Sequence, residues 1–169
     1  TQNPKLAALL YWAASVEVGS EHPLGQAVVR AARARNLNLG QLEHFEALRG
    51  KGVRGSIQTG DDSDRASRQV FVGSRALMQE AGVIQDALRS AEAEMRGLEE
   101  EGKTAMLVAV DGQLLGVLAV ADTLKEEAYD AVHELRSLGL ETAMLTGDNV
   151  RTAQAIARQV GIDRVLAEE

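Results

Sequence analysis

The segment Ser20-Glu21-His22-Pro23-Leu24 places an imidazole directly before a proline, which restricts the backbone on both sides of it. Because apolar residues recur at helical spacing after the proline, His22 is predicted to stand at the entrance of a helix. Helix amino termini attract anions, and an imidazole at such a place can stack on or hydrogen-bond a flat heterocycle. A histidine that only caps its own helix is the alternative, and composition alone favours that alternative.

The segment Gly50-Lys51-Gly52-Val53-Arg54-Gly55 has the spacing of the dinucleotide fingerprint G-x-G-x-x-G. Its glycines lack a Cβ atom, so the backbone here can approach a planar ligand closely. However, Ser56-Ile57-Gln58 continues as a strand, and no helix follows to receive a pyrophosphate, so the fingerprint is rejected. A purely structural glycine turn is the alternative for this segment.

The segment from Met144 to Asn149 follows a predicted parallel strand and precedes a helix, which is the edge where open α/β sheets bind ligands. Thr146 can offer a hydroxyl group and Gly147 a backbone N–H to a phosphate, with the helix amino terminus adding positive potential. The alternative is that Asp148 or Asn149 only caps the helix.

Asp122 and Lys125 lie at the end of another apolar run, spaced so that both side chains can face one loop. A lysine there can contact a phosphate or a ribose. A plain strand-to-helix cap by Asp122 or Thr123 is the alternative.

The composition excludes several classes of protein. Of the 169 residues, 45% are hydrophobic, which is enough to bury one sizeable core or two small ones. A formal net charge of -7 provides no basic field for DNA or RNA, so no nucleic-acid partner is expected. There is no cysteine, and the three histidines lack the spacing of a zinc site. No apolar run approaches the roughly 20 residues of a bilayer-spanning helix, so the chain is expected to be cytosolic.

The elements of the first half are predicted as helices and short strands that alternate irregularly, an α+β pattern. They are a helix from the opening residues to about Val18, a helix from Pro23, two strands between Phe45 and Ile57, a strand at Val70 to Val72, and helices at Arg75 to Ala81 and Gln85 to Glu101. The acidic run from Glu99 to Glu101 is interpreted as a solvated helix end.

The second half alternates strands and helices, which predicts a parallel sheet with crossover helices. Its elements are apolar runs around Asp111-Gly112, a helix from Lys125 to Leu138, a strand from Leu140 to Leu145, a helix from Asn149 to Val160 and a strand from Ile162 to Leu166. The Asp-Gly pair predicts a two-residue hairpin, which we expect to be an antiparallel addition to this second half.

Taken in order, these segments resemble the copper(I)-transporting branch of the heavy-metal P-type ATPases over nearly the whole chain. Ser20 to Leu24 is similar to the His-Pro signature of that family, and Gly50-Lys51-Gly52 to its glycine turn. Ser74 stands where the family commonly has asparagine, which is a departure. Gly102-Lys103-Thr104, Ala121 to Lys125 and Thr146 to Asn149 resemble the return into the phosphorylation domain.

The resemblance implies an α+β nucleotide-binding domain at residues 1–101, with an antiparallel sheet and flanking helices, joined to a partial α/β haloacid-dehalogenase-like domain at residues 102–169. In the first domain it implies an adenine site in which Glu17 accepts from the exocyclic amine and His22 orients or stacks on the ring. It implies that Gly50 and Gly52 let the ring or ribose lie on backbone and that Val53 adds apolar contact. Ser74 takes the place of the family's asparagine at this site, with a shorter side chain.

In the second domain the resemblance implies that Thr146, Gly147 and Asp148 contact the transferred phosphoryl group. Asp122 and Lys125 are then expected near the hinge and the polar end of the nucleotide.

The family's Asp-Lys-Thr-Gly-Thr nucleophile segment and its Gly-Asp-Gly-x-Asn-Asp magnesium loop do not occur in this sequence. The resemblance therefore implies a chain that binds ATP but cannot form the phosphoenzyme, with Mg²⁺ acting in the complete protein. Its expected partners are the remaining phosphorylation, actuator and membrane domains of a copper-translocating membrane ATPase.

Two alternatives remain open at the level of sequence. One is an independent phosphatase of the haloacid-dehalogenase class, which needs an Asp-x-Asp pair at a strand end. Only Asp62-Ser63-Asp64 has that spacing, and it lies in a polar loop. The other is a non-catalytic interaction module.

Overall fold

The computed structural model describes residues 4–60, 66–121, 126–147 and 149–167. The chain forms two compact units, one made of Thr1–Glu92 with Met106–Leu118 and the other of Ala93–Ala105 with Ala119–Glu169. None of the described helices combines the length and apolar character needed to cross a bilayer.

The described helices and strands are numbered in chain order. They are α1 (Pro4–Glu17), α2 (Pro23–Arg33), β1 (Gln41–Leu48), β2 (Gly52–Thr59), β3 (Ala66–Gly73), α3 (Arg75–Glu80), α4 (Gln85–Glu100), β4 (Thr104–Val110), β5 (Gln113–Val120), α5 (Glu126–Ser137), β6 (Ala143–Thr146), α6 (Val150–Val160) and β7 (Arg164–Ala167).

The first unit is built on a five-stranded sheet in the order β1-β2-β3-β4-β5. The pairs β1–β2, β2–β3 and β3–β4 are antiparallel. Helix α1 packs on this sheet, where a methyl group built at Gly55 would lie 2.7 Å from a Val16 side-chain carbon. Because side chains alternate along a strand, Val53 and Gly55 share the face of β2 that α1 covers. The core therefore lies between α1 and this sheet face.

The Asp111-Gly112 hairpin forms as predicted, with positive φ angles of 48° and 77° at its two central residues. Its place differs from the expectation, because β4 pairs with β3 and the hairpin completes the antiparallel sheet of the first unit. Asp111 holds this register through its own backbone N–H, which donates to the Gln69 carbonyl at 2.8 Å, and its carboxylate, which accepts from the Gln69 N–H at 2.8 Å. The domain limits at residues 101 and 102 stay a prediction.

The second unit contains the parallel pair β6–β7 with helix α6 between them in sequence. Asn149 caps the start of α6, and Gly161 ends it in the left-handed conformation at φ 81°. One face of this strand pair is exposed: Leu145 and Leu166 lie opposite each other in the register, with 85% and 56% of their surface accessible. The predicted combination of an antiparallel α+β unit and an α/β unit is confirmed.

Candidate functional site

The first candidate site is the corner between α1 and α2, defined here as residues Glu17 to Gly25. A methyl group at Gly19 would lie 2.6 Å from the Phe45 ring, so only glycine lets this corner pack onto β1. The Ser20 N–H donates to the Glu17 carbonyl at 2.9 Å and tightens the turn. The corner is therefore held against the sheet by contacts close to its candidate residues.

His22 is the N-cap of α2, with extended backbone angles and Pro23 in the first helical turn. Its Nδ1 atom accepts from the Leu24 N–H at 3.2 Å, so the neutral ring carries its proton on Nε2. The capping interaction that the sequence offered as an alternative is thus present. The residue is nevertheless exposed, so its ring face and Nε2 can also meet a ligand.

Glu17 presents a carboxylate that is almost wholly buried, with 4% of the residue accessible. Burial raises the pKa of this carboxyl above its ordinary value, while a hydrogen bond with Ser20 and the charge of His22 act in the opposite direction. A desolvated acceptor of this kind interacts strongly with any N–H group brought to it.

The glycine turn combines an open position with a crowded one. Gly50 has φ 71°, and in the part of the chain that the structure describes a methyl group there would meet no atom within 4 Å. Gly52 has φ 130° and pairs with Gly73 across β2 and β3, where a methyl group would lie 2.1 Å from the Val72 carbonyl oxygen. Strand packing alone therefore requires glycine at 52, whereas none of the described residues fills the space at 50.

Ser74 is brought next to this turn, because its N–H donates to the Lys51 carbonyl at 2.7 Å. Its hydroxyl caps α3 by accepting from the Leu77 N–H at 3.4 Å. Gly73 provides the close approach to β2 at the end of β3. Its signal in the sequence is a glycine directly before a helix-capping serine.

The residue that precedes the corner packs against the strand that follows the glycine turn. Val16 packs against Gly55, which is three residues from Gly52 along β2, a separation of roughly 10 Å at the rise of a strand. Val53 lies between them on the face that α1 covers and is buried. Its side chain therefore belongs to the core beneath the candidate site.

The second candidate site is the loop between β6 and α6 in the second unit. Thr146 ends β6, and a methyl group at Gly147 would meet no atom of the described residues beyond its chain neighbours within 4 Å. Asn149 caps α6 by accepting from the Thr152 N–H at 3.0 Å. Asp148, Asp122 and Lys125 lie outside the described residues, as do Asp62 and Asp64.

Glu99 was wrongly interpreted as part of a solvated helix end. It is 7% accessible, and its carboxylate accepts from Arg151 Nη1 at 2.9 Å and from Asn149 Nδ2 at 3.4 Å. The Thr152 hydroxyl donates to the Lys103 carbonyl at 3.0 Å beside it. The signal was helical spacing, because Glu99 follows Met95 by four residues on the apolar stripe of α4.

Comparisons with known proteins agree on one family. A family model for haloacid dehalogenase-like hydrolases matches residues 2–169. The chain is 49% identical over 161 residues to the probable copper-exporting P-type ATPase V of Mycobacterium tuberculosis, and 43% identical over 160 residues to a copper-exporting P-type ATPase of Bacillus subtilis. Each alignment covers 95% of this chain but only 20% and 19% of those relatives.

Among solved structures, a zinc-transporting PIB-type ATPase in its E2.Pi state matches with a TM-score of 0.65 and 34% identity, covering 95% of this chain and 24% of that one. The catalytic domain of the CPx-ATPase CopB-B matches with a TM-score of 0.57 at 20% identity, over 95% of this chain and 51% of that one, which indicates the fold alone. The chain thus spans about a fifth of the length of the curated relatives that it matches.

Proposed function

Because the chain belongs to the haloacid dehalogenase-like hydrolases and resembles P-type ATPases within them, we propose that it is the ATP-handling portion of a copper-transporting P-type ATPase. In this proposal the chain lies on the cytosolic side of a membrane protein and presents ATP to an aspartate outside its own sequence. Its partners are then the remaining phosphorylation, actuator and membrane domains.

The observation that carries the proposal is the pairing of an exposed imidazole with a buried carboxylate in one corner. His22 begins α2 with its ring accessible, while Glu17 ends α1 with a carboxylate removed from water. An adenine ring offers a flat face to the imidazole and an exocyclic N–H to the carboxylate. Since the carboxylate is already desolvated, its hydrogen bond to that amine is stronger than the same bond in water.

The glycine turn supplies the second side of the proposed adenine site. No described atom lies within 4 Å of the Cβ position at Gly50, and we propose that the ring or the ribose lies over this part of the backbone. Gly52 keeps β2 close to β3, and Val53 forms the apolar floor beneath. Ser74 stands beside the turn through its backbone bond to Lys51 and is the nearest counterpart of the asparagine of the family.

In the second unit we propose that Thr146 and Gly147 contact the transferred phosphoryl group, with Asp148 beside them. Asp122 and Lys125 are assigned to the hinge and the polar end of the nucleotide on the resemblance alone. Among the described residues no group of three or more His, Asp or Glu side chains is placed to hold a metal ion. We therefore assign no Mg²⁺ ligand to them, and Mg²⁺ would be bound mainly through the nucleotide phosphates.

Calorimetric titration of the chain with AMP, ADP, ATP and GTP tests the adenine site. We expect the three adenine nucleotides to bind with similar affinity and GTP to bind at least about tenfold more weakly, because its ring has no amine at the position Glu17 recognises. His22→Ala should weaken AMP about tenfold. His133→Ala, which removes an exposed imidazole from α5 in the second unit, is the control. Absence of saturable binding, or equal affinity of the two variants, would overturn the proposal.

The reaction limit of the chain has its own test. Incubation with radiolabelled ATP and acid quenching should leave no phosphoprotein, because the nucleophile motif of the family is not in this sequence. Acid-stable label on the chain would contradict this expectation.

A further inference from the structure

The Ser20 hydroxyl group lies buried at the centre of the corner, with 5% of the residue accessible. It accepts from the His22 N–H at 3.2 Å and is hydrogen-bonded to the Glu17 carboxylate. A hydroxyl has one proton to donate and lone pairs to accept, so one group can serve both partners together. Gln26 Nε2 donates to the Ser20 carbonyl at 2.9 Å and holds the serine backbone in place.

Gly25 leaves the space that this arrangement needs. A methyl group there would lie 2.2 Å from Glu17 Oε2 and 2.9 Å from both Ser20 Cβ and Oγ. Its φ is not positive, so the backbone conformation of α2 does not demand glycine. Glycine inside a helix costs roughly 0.5–1 kcal/mol relative to alanine. The helix therefore carries an unfavourable residue at a place where a Cβ atom would collide with the Glu17 carboxylate.

The arrangement is unfavourable for the fold in a second way. Burial raises the pKa of the Glu17 carboxyl, so the folded chain is less stable with this group charged at neutral pH than with it protonated at low pH. Groups held at a cost to stability are commonly found at functional sites.

We propose that Ser20 and Gly25 are positioning residues for adenine recognition, with the Ser20 hydroxyl fixing the Glu17 carboxylate and the His22 backbone together and Gly25 providing the space for both. The inference rests on the proposed function, because the two groups that are fixed are the proposed adenine contacts. Loss of one hydroxyl should then disturb both contacts at once.

The test compares Ser20→Ala with Ser15→Ala by AMP titration and by NMR of the His22 imidazole. Ser15 is a matched control, because it is also a buried serine of the first unit whose hydroxyl both donates and accepts a hydrogen bond. It donates to the Tyr11 carbonyl at 2.7 Å and accepts from the Gly40 N–H at 2.9 Å. We expect Ser20→Ala to weaken AMP five- to twentyfold and to shift the His22 ring resonances. Ser15→Ala should lower the urea midpoint but leave both readouts unchanged.

A double-mutant cycle strengthens the test. If Ser20 acts through Glu17, then Ser20→Ala should change AMP affinity less in a Glu17→Gln background than in the wild-type chain. Two results would overturn the inference while the wild-type chain still binds AMP. One is that the effects of Ser20→Ala and Glu17→Gln on AMP affinity are additive, and the other is that the His22 resonances do not respond to Ser20→Ala. Either result would leave the proposed function standing. Failure of the wild-type chain to bind AMP would overturn the proposed function itself.

Discussion

Alanine substitution at Gly52 and Gly50 separates two reasons for having glycine in the turn. At Gly52 the new methyl group would lie 2.1 Å from the Val72 carbonyl oxygen and 2.6 Å from the Gly73 Cα atom. Both are backbone atoms of the paired strand, so they cannot turn aside as a flexible side chain can. The strands must separate by roughly 1 Å before these atoms reach ordinary van der Waals contact.

The expected sizes of the two effects follow from this geometry. Gly50→Ala meets no atom and carries only the left-handed backbone strain, about 1–2 kcal/mol in the free energy of unfolding. Gly52→Ala adds a backbone clash to a similar strain, and the two together amount to about 4 kcal/mol. Gly82→Ala, at φ 80° with nothing within 4 Å, is a control for strain in a place outside the turn.

Urea unfolding followed by circular dichroism measures all three variants on one scale. We expect the midpoints of Gly50→Ala and Gly82→Ala to fall by similar amounts and that of Gly52→Ala to fall much further. If Gly52→Ala is no less stable than Gly50→Ala, the close approach of β2 and β3 is not what requires glycine at 52. AMP titration then completes the comparison of Gly50→Ala with Gly82→Ala. Of these two more stable variants, only Gly50→Ala should bind AMP more weakly than the wild-type chain.

Three other outcomes concern charges and caps. The pKa of Glu17 is raised in the folded chain, so protonation of this carboxyl stabilises the fold. This contribution to the free energy of unfolding is fully present below the pKa of the unfolded chain and is lost as pH rises through the pKa of the folded chain. Glu17→Gln should remove that decline. If the urea midpoints of the wild-type chain and of Glu17→Gln change in parallel with pH, this expectation is contradicted. Asn149→Ala removes the acceptor of the Thr152 N–H and should cost about 1 kcal/mol in thermal unfolding, whereas an unchanged midpoint would refute the cap. Arg151→Leu leaves the buried Glu99 carboxylate with the longer Asn149 contact and should cost about 1 kcal/mol in urea unfolding, and no loss would mean that the ion pair is not stabilising.

Local signals in the sequence predicted most of the fold. Proline after His22 predicted the start of α2, Asp111-Gly112 predicted a hairpin, and the helix predicted from Asn149 to Val160 is observed as α6. Each of these depends on a few neighbouring residues whose backbone preferences agree with the final structure. The resemblance to P-type ATPases and the fold class are likewise confirmed by the comparisons.

Long-range pairing was not predictable in the same way. The hairpin joined β3 because Asp111 and Gln69 bond each other, and nothing local to either residue encodes a partner 42 positions away. The same holds for Gly52 and Gly73, which require each other only once β2 and β3 are paired. Glu99 was misinterpreted because a charged residue at a helix end is usually solvated, and the Arg151 that compensates its burial lies far along the chain.

For the candidate site, sequence supplied the residue types and the structure supplied their relations. The position before a proline marked His22, and the family resemblance marked Glu17, but neither gave a sign that the Ser20 hydroxyl links them. The assigned roles of these residues, and of Thr146 and Gly147 in the second unit, stay predictions until a nucleotide is titrated.

The exposed leucines of β6 and β7 have a consequence for handling the chain in solution. Leu145 and Leu166 form one apolar rung across the strand pair, and both residues are exposed to solvent. A rung of this kind binds reporter dyes such as ANS and makes the osmotic second virial coefficient fall with rising salt. Glutamate at either position would add to the net charge of -7 and strengthen the repulsion between copies, without touching the opposite face, where Met144 and Val165 are partly buried.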